Sequence, residues 1–309
     1  MKKTCSILIG LLLCTVAAQA QLLWKISGNG LTQSSYVVGT NHLAPVSFTD
    51  SIVGVDEALN AVEQVYGELD ISVIADPVKL MQMQTAMMLP EGLTIDSVLT
   101  PEQMTRLNAF MKSTLGADMN NPIVAAQLER YTPVALETQF TLLMYLKNHP
   151  GFNPQSTLDA YFQGTAAEQG KPTGGLETME FQIGVLYESV PMERQVVRLM
   201  CLVDNKDYYE DATERLAAAY FSQDLAALKV VIDEKMNNAC DATPEEDEAL
   251  LYARNANWAK LLTAIVQEKS TLVAVGAAHL PGERGLLELL RKAGFEVTPV
   301  TEVPAPVTE

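Results

Sequence analysis

Two stretches far apart in the chain end the same way. An apolar run from Thr271 stops at Gly276 and is followed by His279 and Leu280. Another from Ser35 stops at Gly39 and is followed by His42 and Leu43. Each reads as a buried strand closing in Gly-x-x-His-Leu, and the two histidines stand 237 positions apart. The chain holds three histidines in all, two of them at these matching places. In α/β sheets, sites form just beyond the carboxyl ends of strands. A glycine at a strand end lets the chain turn and lets a second backbone come close. The expectation is that the two strand ends lie side by side and that both imidazoles face one metal ion.

The rest of the chain supplies an α/β frame around those ends. Leu22 to Ser27 and Ser35 to Gly39 form a hairpin-like pair across Gly28 and Gly30. Ser51 to Val62 is a helix with Ile52, Val55, Leu59 and Val62 on one face. Gln64 to Asp70 reads as a third strand that delivers Glu68. Asp76-Pro77, Thr100-Pro101 and Asn121-Pro122 each open a helix, a capping residue followed by proline in the first turn. A methionine cluster at 81, 83, 87 and 88 reads as soft core. His149, inside Asn148-His149-Pro150-Gly151, reads as a solvent-facing loop residue. Lys171 to Glu177 is a short strand entering a helix at Thr178. Residues 192–268 are helical, with breaks near Asn205 and between Asn237 and Thr243. Thr243 and Glu246 form a capping box. The end repeats strand, helix, strand, with Gly294 as the helix stop and Pro299 placing the last strand at an edge. The fold expected is α/β: a mixed central sheet with flanking helices, one domain over 21–303, a large helical insertion at about 76–268, and a disordered tail at 304–309.

Residues 1–20 match a secretory signal: Lys2 and Lys3, an apolar core from Ile7 to Val16, then Ala18-Gln19-Ala20. The apolar run is shorter than the ~20 residues a bilayer needs, so no transmembrane anchor is expected. Cys14 lacks the small residues expected ahead of a lipidation cysteine, since Leu11, Leu12 and Leu13 precede it. Mature protein beginning near Gln21 would be periplasmic or secreted. Such a compartment permits a disulfide between Cys201 and Cys240, and two buried thiols are the other reading. With 21 Lys and Arg against 38 Asp and Glu, the charge is −17, which repels phosphate backbones and excludes nucleic acid as a partner.

Four further residues carry candidate chemistry. Neutral imidazole is the commonest metal ligand, and two imidazoles with one carboxylate leave an open position for water. Glu68, arriving at a strand end, is the natural third ligand for His42 and His279. Arg254 falls on the apolar stripe Leu251, Trp258, Leu261 and Ile265, so it faces inward and needs a partner. That partner is Glu68, Glu177 or a substrate carbonyl, which its planar fork suits. Facing an open, wet site, Arg254 is expected to be lost without much change in melting temperature. Asn255 beside it is a candidate substrate contact. Glu177 at a helix start reads equally as a dipole-stabilised carboxylate or as a general base.

Taken as an ordered set, these pieces resemble the TraB/GumN family. The set is Gly39 to His42, Gly67-Glu68, Leu176 to Thr178 with Gln182, Arg254-Asn255 with Trp258, and Gly276 to Leu280 with Gly282. Leu89 to Thr94, Leu99 to Glu102 and Leu158-Asp159 extend the match along the chain. Its relatives include the Tiki metalloproteases and, more remotely, erythromycin esterase and ChaN-like proteins. The resemblance implies divalent-metal-dependent peptide cleavage, with Mn, Co or Zn held by His42, Glu68 and His279. Glu68, Glu177 and Arg254 would then be catalytic, Arg254 and Asn255 would bind substrate, and the substrate would be a peptide or protein. A peptide-sequestering protein and a haem-binding protein are the competing expectations. Tiki proteins are membrane-anchored, which this sequence does not suggest for itself.

Overall fold

The computed structural model describes residues 21–153 and 156–303; the expected leader and tail lie outside them. A six-stranded sheet runs in the order β4-β3-β5-β2-β1-β6. Its strands are β1 Leu23–Ser27, β2 Ser35–Thr40, β3 Gln64–Gly67, β4 Thr173–Gly175, β5 Thr271–Gly276 and β6 Glu296–Pro299. β1 is antiparallel to β2 and to β6, while β2, β5, β3 and β4 pair in parallel, so the sheet is mixed as the sequence implies. β6 lies at an edge, where Pro299 removes no interior ladder bond.

β2 and β5 are buried nearly throughout, and Val37, Val38, Leu272, Val273, Ala274 and Val275 are all fully enclosed. Their register sets Gly39 opposite Val275 and Thr40 opposite Gly276. The two Gly-x-x-His ends are therefore neighbours. Gly39 is needed for that closeness: a Cβ there would fall 2.9 Å from Leu280 Cδ1 and 3.0 Å from Ala277 Cβ.

Helices fill the space between β3 and β4 and between β4 and β5, so the expected insertion is interrupted by a strand of the central sheet. The proline-initiated helices form where expected, at Pro77–Ala86, Pro101–Leu115 and Pro122–Leu128, with Asp76, Thr100 and Asn121 as their capping side chains. Ile95, Leu107, Phe110, Phe140, Leu199 and Leu202 build a second apolar cluster apart from the sheet.

Four expectations change. Helix Pro77–Ala86 buries none of its residues and Met81 is 67% exposed, so the methionines are not core; Met83 only leans on Leu69, Met179 and Ile183. His149 is half-buried at the end of helix Pro133–Asn148, stacked on Tyr145 at 4.1 Å and paired with Glu214 at 3.0 Å. The helix expected from Ser51 begins only at Val55, because Gly54 turns left-handed at φ 76° after a short 3-10 segment. Along helix Ala253–Glu268, Leu261 points outward and Leu262 takes the inward place, following a 3.6-residue period from Trp258.

Cys201 and Cys240 are joined, resolving the alternative in favour of the disulfide. The bond ties helix Met192–Asp204 to the segment before Thr243, across a separation of 39 residues. Changing both cysteines to serine is expected to lower stability by about 2–4 kcal/mol, because the unfolded chain regains that loop's freedom. Urea unfolding of the double variant checks this, and an unchanged midpoint would rule it out.

Candidate active site

Four parallel strands deliver four side chains to one edge. Glu68 follows β3 directly, Glu177 follows β4, His279 lies just after β5 and His42 just after β2. The Glu68 carbonyl accepts from the Glu177 N–H at 3.0 Å, which stitches two of these loops together. Glu68 Oε1 also accepts from the Gly276 N–H at 2.9 Å, joining β3's end to β5's.

Arg254 is the hub. It comes from helix Ala253–Glu268 and is 5% exposed. Its Nε and Nη2 donate to Glu177 at 3.0 and 2.7 Å, and Nη2 also donates to Glu68 Oε2 at 2.7 Å. Nη1 donates to the Leu250 carbonyl at 3.1 Å, and the guanidinium lies 4.7 Å from the Trp258 ring centre. Burial alone would lower its pKa, but Glu177 and Glu68 outweigh that and raise it, so the cation persists. Glu177 accepts further bonds from Trp258 Nε1 at 3.2 Å and Gln182 Nε2 at 3.0 Å. Both sequence candidates for Arg254's partner thus hold it together.

His279 is oriented by a chain of bonds. Asn255 Nδ2 donates to the Arg284 carbonyl at 2.9 Å, which turns Asn255 Oδ1 toward the imidazole. His279 Nδ1 therefore carries the proton and donates to that oxygen at 2.7 Å. Its Nε2 lone pair faces Arg254 Nη1 at 3.2 Å and Glu68 Oε1 at 4.0 Å. Asn255 is 2% exposed with both ends of its amide engaged, and it steadies His279.

His42 is differently placed. Its side chain is 75% exposed, and Nδ1 stands 3.1 Å from Asp159 Oδ2. Asp159 is itself held by the Thr40 hydroxyl, which donates to Oδ1 at 2.6 Å. Burial pushes the Asp159 carboxyl up, yet His42 and Thr40 outweigh it and hold it below its usual value. Among the described residues, no three His, Cys, Asp or Glu side chains gather closely enough, as they stand, to hold an ion. Asp159 was not singled out for chemistry in the sequence. It sits in the first turn of a helix capped by Thr157, where an acid needs no explanation beyond the helix dipole.

The two imidazoles differ in charge. The hydrogen bond and charge of Asp159 raise His42 to about 9. Burial lowers His279 to about 4, with Arg254's charge adding and Glu68's opposing. An unfolded His279 takes up its proton near pH 6.5, which the folded one refuses until about 4. Stability from this group is therefore lost as pH falls between those values, by about 3 kcal/mol. His42 acts oppositely: its contribution is full below pH 6.5 and lost as pH rises toward 9, and is trimmed by solvent at so open a site. Nitrogen-15 NMR of metal-free protein at pH 7 should show His42 doubly protonated and His279 as a neutral Nδ1–H ring. Matching titrations near 6.5 for both would contradict the geometry.

Burial overturns the expectation that Arg254 can be removed without structural cost. Arg254→Ala strands two carboxylates, Glu177 with its side chain 4% exposed and Glu68 at 15%, and should cost ~3–5 kcal/mol. Arg254→Lys keeps the charge and loses the fork, so it should fall between. Equilibrium unfolding measures both, and a wild-type midpoint for Arg254→Ala would show that water solvates the site.

The chain matches the model of the TraB/PrgY/gumN family over residues 22–299. Among curated proteins it is 24% identical to Metalloprotease TIKI2 of Danio rerio over 315 residues, covering 89% of this chain and 60% of that protein. It is 25% identical to Metalloprotease TIKI1 of Homo sapiens over 315 residues, covering 89% and 61%. The chain thus spans about three-fifths of the length of these relatives. No solved structure matches. With nearly the whole described chain inside the family match, the protein belongs to the TraB/PrgY/gumN family.

Proposed function

We propose that this chain is an exported metal-dependent hydrolase acting on peptides or proteins, with His279, Glu68 and His42 as the donors for one divalent ion. The single observation that carries the reading is the oriented imidazole. His279 is buried, neutral and fixed at Nδ1 by Asn255, and its Nε2 lone pair meets Arg254 Nη1 at 3.2 Å with Glu68 Oε1 beside it at 4.0 Å. A second group that fixes one nitrogen so the other can ligate is the usual support of a metal histidine. The 4.0 Å between Nε2 and Glu68 Oε1 is wider than the roughly 3.4 Å between two donors of a tetrahedral ion, so holding one would draw the two side chains together. Imidazole and carboxylate donors suit Mn, Co or Zn. The fit has one condition: Arg254 now contacts both donors, so ion and guanidinium share the same acidic ground. No helix among the described residues is long and apolar enough to cross a membrane, which is consistent with an exported chain.

A divalent ion in such a site polarises a scissile carbonyl and acidifies a water. The remaining tasks fall to residues of this chain. Asn255 keeps His279 in the required tautomer. Glu177, accepting four hydrogen bonds, holds the Arg254 fork in place. Arg254, the cation beside Glu68 and His279, has its N–H groups engaged by its neighbours and would favour an oxyanion through its charge. Glu68 is the more open of the two carboxylates, and is the better placed to accept a proton. His42, at the open rim, closes the donor set by turning Nε2 inward while Asp159 keeps Nδ1.

Calorimetric titration of chelator-treated protein with Mn, Co or Zn, followed by peptide cleavage, tests the proposal. One ion per chain is expected. Asn255→Ala should weaken binding about 10–100-fold and His279→Ala by about 100-fold or more, with circular dichroism unchanged. His42→Ala tests the third donor in the same way. A wild-type protein that takes up none of the three ions would sink the metal reading.

A further inference from the structure

A cavity of ≈ 360 Å³ opens beside His42 and runs back between two π-helical segments. One segment is Gly184–Glu188, where the Ser189 N–H reaches the Gly184 carbonyl at 2.8 Å; the other is Glu248–Tyr252, leading into the helix that carries Arg254. π-Helical turns are rare and concentrate at functional sites. Two of them face each other across a cavity that starts at a candidate ligand. Val134, Val185, Val190, Ala249 and Leu250 form its apolar walls.

The polar groups that line it are largely engaged with one another. The Thr138 hydroxyl donates to the Val134 carbonyl at 3.0 Å and the Ser189 hydroxyl to the Val185 carbonyl at 2.8 Å. Arg198 pairs with Glu137 at 3.1 Å. Glu246 accepts from Arg194 at 3.0 and 2.8 Å and from the Thr243 N–H at 2.8 Å. The charges at the inner end, two arginines against two glutamates, cancel. Tyr187 and His42 also line the cavity, His42 engaged through Nδ1 with Asp159. A charged side chain entering here would lose its water and find the charges around it already paired, which is costly. An apolar one loses nothing and covers apolar wall. The volume lies at the small end of the range for ligand pockets, roughly 300–1,000 Å³, and suits a side chain or two rather than a cofactor.

We infer that this cavity is the specificity subsite of the peptide substrate, and that it takes a large uncharged apolar side chain close to the bond presented to His42 and Glu68. The inference rests on the hydrolase reading, and it adds the class of substrate. Tyr187 is placed to hydrogen-bond the backbone of the same peptide, and burial raises its pKa so that it remains an O–H donor.

Fluorogenic peptides carrying Leu, Phe, Ala, Asp or Lys at each position in turn, with Mn, Co or Zn supplied, provide the test. Wild type should favour Leu or Phe over Asp or Lys at one position, by at least about 100-fold in kcat/KM. Ala249→Leu fills the cavity and Val185→Phe does so from the opposite wall, and neither side chain is a member of the hydrogen-bond network of Arg254, Glu68 and Glu177. Each variant should lose roughly 10–200-fold on the Leu or Phe peptide, as hydrophobic pockets do for a misfit of this size, while keeping wild-type rates on the Ala peptide. Metal affinity should not move. Equal losses on every peptide, or indifference to Asp and Lys at all positions, would overturn the subsite and leave the hydrolase reading standing. If wild type cleaves nothing with any of the three metals, the hydrolase reading falls. Calorimetric binding of the same peptides then decides the subsite alone: a Leu-over-Ala preference reversed by Ala249→Leu supports it, and no preference ends it.

Discussion

One buried cation organises the edge of the sheet where the candidate site lies. Arg254 is held by Glu177 through two bonds and by Glu68 through one, and it borders His279. An arginine at 5% exposure is tolerable only because its donors are nearly all used. Its planar fork is what allows that: the Nε–Nη2 edge of the guanidinium meets Glu177 while Nη2 also reaches Glu68 and Nη1 reaches the Leu250 carbonyl. Since Glu68 and Glu177 follow different strands and Arg254 comes from a helix, the network fixes three elements relative to one another. An apolar replacement could fill the space, but it would leave no counter-charge for the two acids.

The sheet supplies the complementary constraint. Parallel pairing of β2 with β5 and β5 with β3 fixes where the strands end, and so where His42, His279 and Glu68 can stand. Gly39 permits the β2 end to lie against Ala277 and Leu280, and Gly67, where a Cβ would collide with the Gln163 amide at 2.2 Å, permits the same behind β3. Gln163 uses that closeness: it donates to the Leu69 carbonyl at 2.8 Å and accepts from the Ile71 N–H at 3.0 Å, tying down the loop that follows Glu68. The backbone beside the site is thus braced from both sides, which is what a site with tolerances of tenths of an ångström requires.

Much of this was legible in the sequence because it is local. Strand ends marked by Gly-x-x-His, helices opened by Thr-Pro, Asp-Pro and Asn-Pro, and the capping box at Thr243 each express a short-range rule, and each is present. What escaped is long-range or period-dependent. Asp159 becomes His42's partner only when its helix packs across the sheet, 117 positions along the chain. Met81 of helix Pro77–Ala86 faces solvent while Met83 leans on Leu69, Met179 and Ile183, and composition does not carry that information. Asn255 could be read as a substrate contact because its neighbour in sequence is Arg254. Yet adjacent helical residues point about 100° apart, and Asn255 turns toward His279 and Arg284.

The π-helical segment Glu248–Tyr252 shows how one local irregularity serves both halves of the site. A regular helix running on from the capping box at Thr243 would carry residues 253 onward at a fixed rotation from Glu246. One wide turn of five residues adds a step to that rotation. Glu246, on the near side, is then free to face the cavity and Arg194, while Arg254, on the far side, faces Glu68 and Glu177. Leu250 sits between them: its side chain lines the cavity and its carbonyl accepts from Arg254. A shift of the wide turn would therefore move the cavity wall and the arginine together. The cavity and the arginine cluster are joined through a single turn of backbone, and that turn is held at its start by the Thr243 cap and at its end by the buried guanidinium.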